Sequence, residues 1–153
     1  MRHTVSRILP YTPDQLFTLV GDVERYPEFV PWITSMRVWN RVDDGAGLTG
    51  VDAEAQVGFS FLKERFSTRV RRDAHQRLIT VSLISGPFKH LVNRWRFAEY
   101  PSGTKVDFDI DFEFKSKLLT AMLTSNFDHA VERLMECFSD RARALYGPGT
   151  AVR

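Results

Sequence analysis

The sequence predicts an α+β fold in which a curved, antiparallel, seven-stranded sheet wraps around a long C-terminal helix. Three observations lead to this prediction. Apolar and polar residues alternate in successive runs from 33 to 114, turn-forming residues separate these runs, and after Lys115 the apolar spacing becomes helical. The short turns favour antiparallel hairpins over crossover connections.

The first 32 residues predict a strand, a short helix and an irregular segment. Residues 3–9 alternate loosely, and two prolines follow. A helix over about 13–20 is expected because Thr12 is a favourable N-cap, Pro13 suits the first turn and Gly21 ends the pattern. The next run, DVERYPEFVPW (22–32), is too broken by proline for a long helix, yet its aromatic rings need a place to be buried.

Six further strands are predicted between residues 33 and 114. Their patterns cover residues 36–41, 51–57, 65–71, 78–84, 91–97 and 106–114. In the last strand, apolar residues alternate with Asp107, Asp109, Asp111 and Glu113, while Arg94 and Arg96 take the outward positions of the strand before it. Opposite charges on neighbouring strands stabilise a sheet, so this pattern predicts a charged outer face and no metal site.

The C-terminal part predicts a helix. Apolar residues from 118 to 145 recur at i, i+3, i+4 spacing, and no glycine or proline lies within 116–146. One helix of roughly 45 Å is expected, with Thr124-Ser125-Asn126 as the point at which it can break. Only this helix is long enough to cover the apolar sheet face, which gives the helix-grip arrangement. The domain is predicted to span 1–146, and 147–153 form a flexible tail.

Length, charge and cysteine content limit the function. A chain of 153 residues fits one domain. A net charge of +2 does not indicate a DNA-binding protein, and the single Cys137 suits a reducing compartment. The sequence has no stretch of about 20 apolar residues and no signal-peptide pattern. A cytoplasmic protein is expected, with peripheral contact at the inner face of a membrane.

No catalytic or metal-binding pattern emerges from the titratable residues. The four histidines are scattered, and the common nucleophile, phosphate-loop and zinc motifs are missing from the sequence. We interpret Asp128-His129 as a solvated pair on a helix, in preference to an acid–base pair, and Cys137 as a packed thiol. The protein is therefore predicted not to be an enzyme.

Aromatic residues are more informative than the titratable ones. Nine of them crowd the predicted sheet: Phe59, Phe61, Phe66, Phe88, Trp95, Phe97, Phe108, Phe112 and Phe114. Most should pack in the core. A curved sheet under one helix also tends to leave a concave apolar cavity, which favours a hydrophobic, uncharged ligand.

Two runs carry a resemblance to a known family. DVERYPEFVPW (22–32) and SGPFKHLVNRW (85–95), in this order within a helix-grip pattern, resemble the coenzyme-Q-binding family of the START superfamily, a polyketide cyclase/dehydrase-like group that includes the ribosome association toxin RatA. The resemblance covers about residues 1–146. It implies binding of ubiquinone in support of respiratory electron transfer, with no catalysis and no cofactor other than the bound quinone. Ile33 stands where many relatives have a cysteine.

The resemblance also implies the ligand-binding residues. It places one rim of the pocket opening at Tyr26, Phe29, Val30, Pro31 and Trp32, another at Phe88, Lys89 and Leu91, and Trp95 on the strand that follows. The apolar members of the two loops are expected to form an exposed mouth that touches a membrane. Lys89 either meets a quinone carbonyl or an anionic headgroup, or is simply a solvated loop lysine.

Two other functions stay open at this point. A RatA-like protein would bind the large ribosomal subunit and block subunit association, for which an arginine-rich surface (Arg65, Arg69, Arg71, Arg72 and Arg77) is available. An enzyme of the cyclase type is the third possibility. Binding of ubiquinone or a related isoprenoid lipid is the preferred interpretation.

Overall fold

The computed structural model describes residues 1–59 and 62–149, apart from the side chains of Phe59 and Leu62. The predicted positions of Phe61 and of tail residues 150–153 lie outside the described residues. The strands are β1 (Arg2–Leu9), β2 (Ile33–Asp43), β3 (Leu48–Phe59), β4 (Leu62–Asp73), β5 (Leu78–Ser85), β6 (Phe88–Tyr100) and β7 (Gly103–Phe114). The helices are α1 (Pro13–Gly21), a 3₁₀ helix (Val23–Glu28), α2 (Lys117–Thr124) and α3 (Phe127–Tyr146).

The seven strands form one antiparallel sheet in the order β1-β7-β6-β5-β4-β3-β2. Sequential hairpins build the run from β2 to β7, and β1 pairs with β7 at one edge. The segment that contains α1 and the 3₁₀ helix connects the two edge strands. The predicted seven-stranded sheet with a C-terminal helix is confirmed.

Local signals explain the N-terminal helices. The Thr12 hydroxyl accepts from the Gln15 backbone N–H, and the Gln15 side chain accepts from the Thr12 backbone N–H. Both hydrogen bonds of a capping box are therefore present. Pro27 lies within the 3₁₀ helix, and the Tyr26 hydroxyl donates to the Val20 carbonyl. This hydrogen bond folds the proline-containing segment back onto α1.

The C-terminal region consists of two helices, because the helix is interrupted at the predicted point, between Thr124 and Phe127. Ser125 ends α2, and Asn126 has the non-helical dihedral angles φ −123° and ψ 9°. One face of α3 is buried, formed by Phe127, Val131, Met135, Phe138 and Ala142. None of the helices within the described ranges is long and apolar enough to cross a membrane.

The outer sheet face carries the predicted charge pattern. Arg94 lies opposite Asp109, and Arg96 opposite Asp107, across β6 and β7. Asp52 also lies on this face but is buried, with an exposed fraction of only 3%. It lies beneath Arg69, whose guanidinium Nε donates to the Asp52 carboxylate over 3.1 Å. The Asn40 amide, at a bulge with φ 52°, donates to the same carboxylate over 2.9 Å.

Candidate functional site

A cavity of about 190 Å³ lies between the sheet and the helices α1 and α3. Its walls are mainly apolar. The lining residues are Leu9, Leu16, Leu19, Val20, Trp95, Phe97, Val106, Met135 and Phe138, together with the polar Arg7, Glu132, Glu136 and Ser139. Such a cavity suits a small apolar group with a few polar contacts at its edge.

Trp95 forms the aromatic wall of the cavity on β6. Its ring centroid lies 4.8 Å from that of Phe108 and 5.1 Å from that of Phe138, in both cases edge-to-face. The indole N–H donates to the Asn93 side-chain oxygen over 2.9 Å, and the Asn93 amide donates to the Asp109 carbonyl over 3.0 Å. This chain of hydrogen bonds satisfies the buried indole and fixes the ring orientation.

Two side-chain pairs connect α3 to the edge strand β1. Arg7 donates to the Glu132 carboxylate, and the His3 ring lies 3.2 Å from Asp128. The two acidic residues are one helical turn apart, so they face β1 from the same side of α3. The hydrogen bond from Arg7 lowers the pKa of Glu132, which keeps this carboxylate ionised near neutral pH. Asp128 and His129 are both exposed, as expected for a solvated pair, and Asp128 also lies beside His3.

Three of the predicted ligand residues come together around α3. The Phe138 ring contacts Tyr26, Phe29 and Trp95 at centroid distances of 5.3, 5.2 and 5.1 Å. The Arg141 guanidinium covers the Phe29 ring at 5.1 Å and binds Glu28 over 2.9 Å. The aromatic run before β2 is therefore packed against the same helix that closes the cavity.

The expected exposed mouth is wrong for three of its five apolar residues. Val30, Phe88 and Leu91 are 0%, 9% and 7% exposed, and all three belong to the core. Phe88 stacks on Phe114 at 4.6 Å and meets Phe66 edge-to-face at 5.2 Å. Phe88 is the first residue of β6, and its side chain lies on the concave face of the sheet, where neighbouring aromatic rings cover it.

The remaining predicted residues lie at various depths. Pro31 is exposed, whereas Phe29 and Trp32 are half-buried. Lys89 is exposed, and its ammonium lies 3.2 Å from Glu113, which belongs to the outer charged face. Of the nine predicted residues, all of which the structure describes, Trp95 is the one that lines the cavity.

The two predicted loops do share one end of the sheet. The Trp32 carbonyl accepts from the Gly58 N–H over 2.9 Å, at the end of β3. Gly86 lies against Phe66 at the beginning of β4, so closely that a Cβ there would stand 2.5 Å from the Phe66 Cβ. Placement at one end is therefore correct, although the apolar side chains turn inward.

The concave face beyond the cavity is only partly covered. Met36, Phe66, Val81, Leu83 and Ile110 face the interior yet remain half-buried. The alternation in the sequence identified the face on which Met36 and Phe66 lie. It carried no signal for their partial exposure, because that depends on how much of the sheet the helices reach.

The described residues show little that resembles catalytic or metal-binding machinery. They contain no group of three or more side chains suited to holding a metal ion. Cys137 is half-buried as expected, and burial raises the pKa of its thiol. Burial also raises the pKa of the Tyr26 hydroxyl. Both groups are thus protonated near neutral pH and are poor nucleophiles or bases.

A family model described as polyketide cyclase / dehydrase and lipid transport matches residues 9–139. The chain belongs to this family. Among curated relatives, the ribosome association toxin RatA of Rickettsia prowazekii is 34% identical over 92% of this chain and 94% of the toxin. The coenzyme Q-binding protein COQ10 homolog B, mitochondrial, of Xenopus laevis is 30% identical over 96% of this chain and 60% of that protein.

Solved structures of similar proteins agree with the helix-grip architecture. The 18 kDa protein CC1736 from Caulobacter crescentus is 60% identical, with a TM-score of 0.82 over 96% of this chain and 99% of that one. A START superfamily protein from Mycobacterium smegmatis is 22% identical, with a TM-score of 0.77 over 95% and 97% of the two chains, and supports the fold alone. The resemblance carried by the two sequence runs is confirmed.

Proposed function

We propose that this member of the polyketide cyclase / dehydrase and lipid transport family binds ubiquinone, or a related isoprenoid lipid, between its sheet and α3 without transforming it. The observation that carries the proposal is the apolar cavity beside Trp95, continued by a half-buried apolar sheet face. The similarity to a protein named as coenzyme Q-binding supports this choice of lipid.

The size of the cavity suits a substituted ring. A cavity of roughly 150 Å³ admits benzene, and the cavity here measures about 190 Å³. An isoprenoid tail needs more room than this. It would lie along the concave face. The small side chains of Ala53 and Ala55 there form a shallow depression between larger, half-buried neighbours such as Met36 and Phe66.

The polar groups of the cavity favour an uncharged ligand. Arg7 and the Ser139 hydroxyl are donors that can reach a quinone carbonyl, whereas Glu132 and Glu136 would repel a lipid carboxylate. Lys89 is a poorer candidate for this contact than it was from the sequence, because it does not line the cavity and its ammonium lies beside Glu113 on the outer sheet face.

A binding role without chemistry fits the titratable groups at the cavity. General acid–base catalysis works best with a pKa near the operating pH. Arg7 and Glu132 instead pair with each other, and this pairing lowers the pKa of Glu132. A cyclase-type enzyme would need a proton-transferring group beside its substrate; of the two carboxylates in the cavity wall, that of Glu132 is held by Arg7 and that of Glu136 is exposed.

The test is ligand analysis of protein purified from its own host. Organic extraction followed by mass spectrometry should recover an isoprenoid quinone, and titration of delipidated protein with ubiquinone should quench tryptophan fluorescence. Trp95→Phe is the matched variant. Trp39 lies on the outer sheet face, where the Arg37 guanidinium carbon is 4.8 Å from its ring centroid, so its fluorescence should not respond to a ligand in the cavity. Loss of most of the quenching in this variant assigns the signal to the cavity. If extracts lack quinone and the wild-type fluorescence stays constant, quinone binding is refuted.

A second candidate function, association with the large ribosomal subunit, is supported by similarity to RatA. Arg37, Arg65 and Arg69 are at least half exposed on the outer sheet face and offer contacts for RNA phosphates. Asp52 and Glu54 beneath them offset part of this positive charge. Overexpression followed by sucrose-gradient centrifugation separates the two functions. A rise in free subunits, with this protein comigrating with the large one, favours the RatA-like role.

We place the protein in the cytoplasm, at the inner face of a membrane, because a carrier of such a lipid has to exchange it with a bilayer.

A further inference from the structure

Helix α2 is apolar but is not buried by the rest of the described chain. None of its eight residues, Lys117–Thr124, is buried. Leu118 is 69% exposed, which is the largest value among the exposed large apolar side chains of the described residues. A helix that carries apolar residues around most of its circumference normally lies inside a protein or a membrane.

The two faces of α2 have different surroundings. Leu119 and Leu123, one turn apart, pack against the core. Leu118, Ala121 and Met122 occupy the other side, where surface helices usually carry charged residues; Leu118 and Ala121 are exposed, and Met122 is half-buried. The outer side of α2 is therefore an apolar surface that the fold does not need for its own core.

The hydroxyls of α2 and of its C-cap residue Ser125 donate to nearby backbone carbonyls. The Thr120 hydroxyl donates to the Ser116 carbonyl over 3.2 Å, that of Thr124 to the Thr120 carbonyl over 2.6 Å, and that of Ser125 to the Met122 carbonyl over 2.9 Å. Hydroxyls bonded in this way can leave water at little cost. This arrangement suits contact with lipid better than contact with a polar protein or RNA surface.

The sequence that begins and flanks α2 carries positive charge. Lys115 and Lys117 are both exposed, and no acidic residue occurs in the sequence between Glu113 and Asp128. An interfacial helix with apolar residues on one side and lysines at its flank binds anionic lipid surfaces through both features.

We propose that α2 docks the protein on an anionic lipid bilayer, with Leu118 and Met122 entering the boundary between headgroups and acyl chains and Lys115 and Lys117 contacting the headgroups. The inference goes beyond ligand binding, since docking requires no quinone. It also replaces the mouth expected from the sequence, whose residues Val30, Phe88 and Leu91 are core.

The experiment is flotation of the full chain with quinone-free vesicles, either of phosphatidylcholine alone or of phosphatidylcholine mixed with phosphatidylglycerol. Wild-type protein should bind the anionic vesicles more tightly and lose binding as salt is added. Leu118→Gln should weaken binding roughly tenfold through lost apolar burial. The double variant Lys115→Gln/Lys117→Gln should weaken it by roughly 30-fold on the anionic vesicles alone.

Leu145→Gln is the matched control, since Leu145 is 52% exposed on α3, away from α2. Its binding should equal that of the wild type, and circular dichroism should show all variants folded. Wild-type protein that fails to bind anionic vesicles overturns the proposal, as does equal binding by Leu118→Gln and Leu145→Gln. So does a Leu118→Gln protein that keeps vesicle binding but no longer comigrates with large ribosomal subunits. Because the vesicles hold no quinone, a failure here is distinct from a failure of quinone binding.

Discussion

Removal of the Phe138 ring should strongly destabilise the protein. The side chain is 4% exposed and makes three edge-to-face contacts, with Tyr26, Phe29 and Trp95, at centroid distances of 5.1–5.3 Å. A buried Phe→Ala substitution costs about 3–5 kcal/mol, and each aromatic pair adds about 0.5–1.5 kcal/mol beyond area burial. Because the Phe→Ala range already includes lost packing, the three aromatic partners place Phe138→Ala near its upper end, and we expect a loss of about 4–5 kcal/mol of unfolding free energy.

The assay is urea denaturation followed by far-UV circular dichroism, with the free energy extrapolated to water. Phe138→Leu keeps most of the apolar volume and should lose about 1–2 kcal/mol. Leu145→Ala, at a half-exposed position of the same helix, should change stability by less than about 0.5 kcal/mol. A loss below about 2 kcal/mol for Phe138→Ala would refute the close packing of this ring, because removal of a ring packed on three sides costs more free energy than that.

Three further predictions concern charge, backbone and thiol chemistry. Hydrogen bonds from Arg69 lower the pKa of Asp52, so Asp52→Asn should lose about 1–3 kcal/mol at neutral pH; this deficit should shrink as pH falls through the depressed folded pKa, and a pH-independent deficit in denaturation curves would contradict it. Gly103 has φ 142°, and a Cβ there would stand 2.1 Å from a carbonyl oxygen of β1, so Gly103→Ala should lose about 1–3 kcal/mol for the backbone conformation plus the cost of this clash. Gly45→Ala, where the Cβ would meet open space, should lose less stability, and equal losses for the two variants would refute the clash. Burial raises the pKa of Cys137, so iodoacetamide should alkylate it more slowly in folded than in urea-unfolded protein by mass spectrometry, and equal rates would show an open thiol.

Local patterns in the sequence were sufficient for the elements of the fold. Period-two alternation located β7 and its outward acidic residues, and the register places Asp107 and Asp109 opposite Arg96 and Arg94. Helical spacing located the C-terminal helices, and the break predicted at Thr124-Ser125-Asn126 lies between α2 and α3. These features depend on neighbouring residues along the chain or across one hairpin, so they can be read without knowing the rest of the structure.

The site could be predicted only in part. Trp95 lines the cavity and Tyr26 and Phe29 contact the helix that closes it, as two motif runs suggested that these residues act together. Leu16, Leu19 and Met135 also line the cavity, yet they were indistinguishable in the sequence from ordinary core positions. Their role depends on the gap between α1, α3 and the sheet, which no periodicity encodes.

The order of strands and helices, the apolar side of each strand and the family of the chain could all be predicted from the amino-acid pattern. Which element covers each apolar side chain depends on the tertiary structure. Phe88 and Val30, which the family resemblance had placed at the rim of a pocket mouth, are buried, whereas Leu118 is exposed on a helix with the same apolar spacing as α3. The physical reason is that alternation fixes the direction of a side chain relative to its own element, whereas burial depends on whether another element, distant in sequence, packs against that side.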